Sequence, residues 1–558
     1  MSHGTNSSRL LIGARRVSAV AAAVLLLAAW GGSVPESEMF RTDEDKITRG
    51  KAPVDRGSGP GRPSRTLIGQ RQLTSHVPTG TAGVEQTGSF GPAFEWPLIP
   101  LHTVLLPDGR VLSYGTDDTG EQSGLLHYSV WDPALGVGPE SMLLLPNTTA
   151  TDLFCAGQAL MSNGQVLLVG GDRTVEGRRN FANADVNLFN PADNSLTRQT
   201  QSMVYQRWYA TVVTTDKAEQ VVMGGRTDKS WGTHVPPIKV SYADIPEVYS
   251  NGSWRTLTTA QSEKAYGATD DAWSYPKAWL GPDGRVVIFN NTGNLFALST
   301  KKDGKVSKLT GMLPVSRQFQ TAAMYAPGKI LSMRNNAVVR MVDINGATPV
   351  IDTVPNLSQN RIYGFSTVLA NGKVWVNGGS STGNDLVGAA YHSELWNPAT
   401  NTWTTTATAA KARLYHSVSM LMPDATVLTA GGGAPGPIIQ MNAEIYYPPY
   451  LYKADGSGLP ADRPVIASAP QAGNWGATVP VVMGDAAPAS RVTLVRFGAA
   501  THNFNNDMRF MELSFSQTDA TLSVQLPSSK TIAPPGYYMV FVFNAEGVPS
   551  ISKVLRLG

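Results

Sequence analysis

Few residues in this 558-residue chain offer obvious chemistry, and they are widely spaced. One is the only cysteine, Cys155, in TDLFCAGQALMSNG. Another is an adjacent pair, Tyr415–His416, in RLYHSVSMLMPD, and a third is Tyr209, in YQRWYATVVTTD. Each stands just before an alternating strand. Among the eight histidines, His502 lies in GAATHNFNND near the C-terminus, and His102 opens PLHTVLLPDG as a weaker candidate. Two imidazoles with two phenolates form a nitrogen–oxygen ligand set. That set suits tetragonal Cu(II) better than a tetrahedral zinc site, which favours thiolate. A phenol ionises near pH 10, so a bound metal must help remove its proton. The residues taken alone are equally consistent with packed aromatics and satisfied histidines, since both types are commonly half-buried.

Side chains this far apart in sequence need a scaffold that brings them together, and a repeat supplies one. A short strand, a turn and a second apolar strand recur seven times. The turn residues are Gly109, Gly164, Ala218, Gly284, Gly328, Gly372 and Ala425, at spacings of 44 to 66 residues. Several copies end at Gly-Gly, and several are followed by a strand with an aromatic and a turn, as in VWDPALG from Val130 and LWNPATNTW from Leu395. Those later strands read as the outer edge of each unit. About four short antiparallel strands at a kelch-like period predict an all-β fold, a seven-bladed kelch-type β-propeller over residues 96–455. Strands nearest a propeller axis open onto its central channel, where Cys155, Tyr209 and Tyr415–His416 would converge from different blades. Residues 456–558 alternate as short strands and predict an immunoglobulin-like β-sandwich. His502 reaches the propeller axis if that sandwich docks there. Tyr and His neighbours on a regular strand point to opposite faces, so the backbone must deviate for Tyr415 and His416 to serve one ion.

Composition narrows the partners. A formal net charge of +3 and the absence of a basic run beside aromatics argue against nucleic acid. A single cysteine excludes an internal disulfide, so core burial must hold the fold. Arg9, Arg15 and Arg16 precede the apolar run Val17–Trp30, the layout of an export signal. Residues 1–30 thus read as a signal or an N-terminal anchor, which places the protein outside the cytoplasm, secreted or held at the cell surface. Residues 31–95 are polar and rich in Pro and Gly, and read as a flexible linker.

The motifs LFCAG at Leu153, RWY at Arg207, YHS at Tyr415, IYYPPYLY at Ile445 and THNFNNDMR at Thr501 resemble the copper radical oxidases. The likeness covers roughly residues 96–558 and is closer to the glyoxal oxidase branch than to galactose oxidase. It implies one copper ion held by Tyr209, Tyr415, His416 and His502. It also implies a thioether joining Cys155 to Tyr209, giving a tyrosyl radical cofactor made from the chain itself, with Tyr415 as the axial base. The expected reaction is oxidation of a small aldehyde, as its hydrate, or of a primary alcohol, with dioxygen leaving as hydrogen peroxide. Galactose oxidase holds its sugar with an arginine where this chain has Tyr275–Pro276, which argues against galactose. A residue stacked on the cross-link is also expected, with Trp231, His234 and Trp208 as candidates. The competing expectation is a non-catalytic extracellular propeller that binds glycan.

Overall fold

A computed structural model describes residues 54–56, 76–175, 178–230, 239–269, 272–316 and 319–558. The expected export segment 1–30 lies outside the described residues, as do most of the expected linker and both Trp231 and His234. No helix among the described residues is long and apolar enough to cross a membrane.

The regular structure of the described chain is nearly all strand. Seven sheets follow one another, antiparallel except where Val54–Arg56 pairs parallel with Ile439–Met441 in the last, numbered here one to seven in chain order. Their first strands are His102–Leu105, Gly157–Leu160, Thr211–Thr214, Lys277–Leu280, Ala322–Ala326, Ile362–Val368 and Ser417–Leu421. The first two strands of each sheet form the hairpin around the turn residues read from sequence. The strands expected at the outer edge are third, not last. Val186–Asn190 and His392–Asn397, for example, each turn back into a fourth strand, Ser195–Arg198 and Thr402–Thr408. Those fourth strands are mostly half-buried or exposed and carry little apolar signal, which is why the sequence concealed them.

Sheet seven gets its outer edge from elsewhere. Ser89–Phe90 and Phe94–Glu95 pair antiparallel with its third strand, Ile439–Tyr447. The end of the segment read as linker is therefore ordered strand. Neighbouring sheets pack through their first strands or share a core, as Trp279 and Phe289 of sheet four do with Met324 and Ile330 of sheet five.

Residues 463–558 form two further sheets that bury one core between them. Val481, Met483 and Leu522 come from one, and Leu494, Met511, Val540 and Leu555 from the other. A hairpin of this region, Ala499–Thr501 with Phe504–Asn505, leaves those sheets. It pairs instead with the first strand of sheet one, Thr501 opposite His102. That single excursion carries His502.

Two devices fix the loops that enter the sheets. Buried Arg207, Arg361 and Arg413 stand just before the first strands of sheets three, six and seven. Each pairs with a glutamate on the third strand of the same sheet: Glu247 at 2.9 Å, Glu394 at 2.8 Å and Glu444 at 3.0 Å. Gly-Gly then seats the next sheet's loop. The Gly171 N–H donates to Arg207 O at 2.9 Å, and the Gly379 N–H donates to Arg413 O at 2.7 Å. A Cβ at Gly170 or Gly378 would lie 2.1 or 2.5 Å from those same carbonyls, and both glycines have positive φ. Only glycine permits this approach.

Candidate metal centre

The three Arg-x-Tyr loops deliver Tyr209, Tyr363 and Tyr415 to one place. Each arginine is locked by its glutamate and by the Gly-Gly carbonyl of its own sheet, so the tyrosine two residues on starts from a fixed backbone. Cys155 enters from the loop before sheet two, and His502 from the tip of the hairpin on sheet one. All of these side chains are buried: Cys155 and His502 at 0%, His416 at 1%, Tyr209 at 2% and Tyr415 at 5% exposure.

The backbone departs from ordinary geometry here. Cys155, Tyr209, Tyr275, Tyr363, His416 and His502 all have positive φ, from 40° to 73°. Non-glycine residues adopt that region at a cost of order 1–3 kcal/mol each, and such residues gather at functional sites. At His416, with φ 66°, the turn brings the adjacent rings of Tyr415 and His416 into a stack with centroids 3.7 Å apart.

The polar atoms converge. Tyr209 and Tyr415 share a hydrogen bond between their hydroxyls. The His416 and His502 rings lie 4.6 Å apart, nearly perpendicular. Cys155 Sγ stands 3.4 Å from His502 Nε2 and 3.9 Å from His416 Nε2, and its thiol also interacts with the Tyr209 side chain. In both histidines the outer nitrogen is already engaged. His416 Nδ1 donates to Gly433 O at 2.7 Å. His502 Nδ1 donates to Thr501 Oγ1 at 2.6 Å, and that hydroxyl passes its own proton on to Leu101 O at 3.1 Å. Both Nε2 atoms are thereby left as lone-pair donors facing inward, the usual arrangement of metal-binding imidazole.

Electrostatics favour neutral ligands that wait for a cation. Burial lowers the His416 pKa to about 3 and holds His502 well below its ordinary value. Burial also pushes the Tyr209 phenol well above 10, with Cys155 and Tyr415 adding to the rise. The Cys155 thiol is raised too, mainly by burial. Without a positive ion neither the Tyr209 phenol nor the Cys155 thiol ionises near neutrality. With one, loss of phenol protons supplies the compensating charge. Two imidazole nitrogens beside two phenol oxygens fit Cu(II).

Tyr275 and Trp208, both named from sequence, complete the surroundings together with Phe154, Phe319, Tyr363 and Trp273, which were not. Tyr275 packs on His502 at 4.3 Å and on Tyr209 at 4.9 Å, and its hydroxyl donates to Ala156 O. Phe319 and Tyr363 lie against Tyr415 at 5.1 and 4.9 Å, and Phe154 meets His416 edge-on at 5.4 Å. Trp208 meets Tyr209 edge-on at 4.2 Å, and Trp273 does so at 5.8 Å. The repeated Arg-x-Tyr at 207, 361 and 413 was the available signal for Tyr363. His102, the weaker candidate, stacks flat on Tyr114 at 4.5 Å and sits behind His502, 5.6 Å away.

Similarity to characterised proteins points the same way. Residues 463–557 match the family described as galactose oxidase-like, early set domain. A galactose oxidase of Gibberella zeae is 27% identical over 513 residues, spanning 86% of this chain and 72% of that protein. Aldehyde oxidase GLOX1 of Arabidopsis thaliana is 23% identical, spanning 74% of this chain and 72% of that protein. A fungal alcohol oxidase of the AA5 family, solved in complex with copper, superposes with a TM-score of 0.72 at 24% identity. It covers 85% of this chain and 100% of its own, so the two share a fold.

Proposed function

From the premise that the chain belongs to the copper radical oxidases and is a copper-dependent oxidoreductase, we propose that it oxidises a small aldehyde, as its hydrate, or a primary alcohol. Dioxygen accepts the two electrons and two protons and leaves as hydrogen peroxide. The observation that carries this reading is the meeting of two oriented Nε2 atoms with the paired hydroxyls of Tyr209 and Tyr415.

Tyr209, Tyr415, His416 and His502 hold the metal in this reading. Copper, when bound, accepts one electron and lowers the pKa of the coordinating phenols. Tyr209 carries the second oxidising equivalent as a radical, delocalised onto a thioether with Cys155. Tyr415 takes the hydroxyl proton of the substrate, and Tyr209 takes a hydrogen atom from its carbon. Phe154, Phe319 and Tyr363 wall the site with apolar surface, which favours a small substrate. Pro276 packs within reach of Gly224, and its carbonyl accepts from Thr211 Oγ1 at 2.9 Å. It offers no cation with which to hold a sugar.

The seven sheets are read as the blades of a β-propeller over residues 96–455. They are closed by the strands at Ser89–Glu95 and followed by an immunoglobulin-like domain over 456–558. The protein is placed outside the cytoplasm on the strength of its N-terminal sequence.

One observation favours a second reading. Cys155 Sγ is close enough to both Nε2 atoms for a thiolate–bis-imidazole metal site. One experiment separates the two. Apoprotein is loaded with Cu(II) in air, digested and mapped by mass. A single peptide joining Cys155 to Tyr209 is expected, whereas separate peptides would sink the radical reading. Cys155→Ala should then still bind copper but lose most peroxide production with glycolaldehyde, methylglyoxal or glycerol. Galactose should give little peroxide in either protein.

A further inference from the structure

Behind Tyr209 the aromatics continue towards the surface. Trp208 and Trp273 stack with centroids 6.3 Å apart, both edge-on to Tyr209. Trp273 then meets Tyr242 at 5.4 Å. Tyr242 ends the strand Lys239–Tyr242 and is half-exposed. Three rings thus lead from the proposed radical to solvent, at spacings over which an electron moves readily. An oxidising tyrosyl beside such a chain has a route by which to discharge.

A cation stands beside the route. Arg226 is 5% exposed, and its guanidinium lies 4.3 Å from the Trp208 ring and 5.8 Å from the Trp273 ring. Its Nη2 donates to Asn180 O at 2.7 Å, and backbone bonds in both directions tie residue 226 to residue 208. A positive charge over an indole stabilises the neutral ring through its quadrupole and destabilises the radical cation. In a buried site that effect is little screened.

We propose that Arg226 confines the oxidising equivalent to Tyr209 by raising the potential of Trp208 and Trp273, closing the aromatic path to Tyr242. The step it prevents is a one-electron transfer. The electron would pass from an indole to the Tyr209 radical, restoring the phenolate. The hole would go on to Tyr242, which loses its phenol proton to water and is left as an oxidised residue. Arg226 touches neither substrate nor reacting atoms, so its role is electrostatic. The inference rests on the radical reading above.

The test uses the full-length copper-loaded protein, oxidised with ferricyanide and freed of it by desalting. Decay of the radical's visible absorption is followed without substrate, and oxidised Trp and Tyr are then located by peptide mass. Arg226→Gln should shorten the lifetime roughly tenfold, the scale of a desolvated cation–π contact, and place oxidation on Trp273 and Tyr242. Arg226→Lys should keep most of the lifetime. Adding Tyr242→Phe to Arg226→Gln should lengthen it again. An Arg226→Gln lifetime equal to wild type, with the Cys155–Tyr209 link present, overturns the proposal and leaves the radical reading standing. Absence of the link in the wild type removes that reading first. Should Arg226→Gln fail to fold, Tyr242→Phe alone decides: an unchanged lifetime fits a closed path, and a longer one shows that the path is already open, against the proposal.

Discussion

The side chains of the site are ordinary, and it is their backbone that is costly. Six residues in the left-handed region hold Cys155, two tyrosines of the inner ring set, Tyr363 and both imidazoles where no regular strand would put them. The deviation expected at the Tyr415–His416 pair falls on His416 alone. The hydrogen bonds behind the ligands are the next control. Thr501 Oγ1 accepts from His502 and donates to Leu101 O, so it fixes both the tautomer and the ring plane. Thr501→Val keeps the shape and removes both bonds. It should weaken copper binding by roughly 10- to 100-fold, the usual effect of losing such a partner, as read by competition with a chelator. The imidazoles also set a pH dependence. His416 is neutral in the fold down to about pH 3 but takes a proton near 6.5 when unfolded. Between those values the unfolded chain binds more protons, so the metal-free protein loses stability as pH falls from about 6.5 towards 3. The slope is at most about 1.4 kcal/mol per pH unit for this site, with His502 adding in the same direction. Urea unfolding of the metal-free protein at several pH values measures it, and His416→Asn should flatten the curve. A wild-type curve that rises on acidification would contradict the assignment.

At the scale of the element, the hairpin turns were legible and the ion pairs were not. Gly or Ala at the turn, followed by an apolar strand and Gly-Gly, is a local pattern that repeats in plain view. The glutamate partner of each buried arginine lies 40, 33 or 31 residues downstream, on a third strand whose distance varies with the loops between. No fixed spacing reveals it. The energetics of these buried pairs are sharply different from those of surface pairs. Arg413 and Glu444 are at 1% and 0% side-chain exposure, so Glu444→Ala leaves a buried guanidinium without its counter-ion. That should cost about 3–5 kcal/mol. It should also loosen the loop that carries Tyr415, lowering copper occupancy in the folded fraction. Asp462, at 95% side-chain exposure, pairs with Lys453 in solvent, and Asp462→Ala should change stability by less than about 1 kcal/mol. Denaturant midpoints of the two variants against wild type make the comparison, and equal effects would refute it.

For the whole molecule, the question is how seven successive sheets and the C-terminal region come to own one site. The sequence showed where the C-terminal strands begin and that His502 lay in a loop among them, but not that the loop becomes a strand of sheet one. Residues 499–501 are short and apolar, and their partner is some 400 residues away, so no local pattern announces the pairing. The packing explains why it happens. Phe497, Met508, Phe510, Met539 and Phe541 of the C-terminal region join the same core as Val368, Trp375 and Met420 of sheets six and seven. The ring of Phe510 lies where a Cβ on Gly372 would fall, 2.8 Å away. Each fully buried aromatic contributes about 1.5–3 kcal/mol, so several together outweigh what a marginal domain could forgo. A chain ending at residue 460 should therefore do two things at once. It should expose an apolar face and the unpaired edge of His102–Leu105, and so aggregate. It should also bind no copper, because His502 is gone. His502→Ala in the full chain separates these effects: it should elute as wild type does on size exclusion and keep its stability within about 2 kcal/mol, while losing copper. A truncated chain that stays soluble and folded would mean that the C-terminal region supplies a ligand but not stability, and would break the link between core and site.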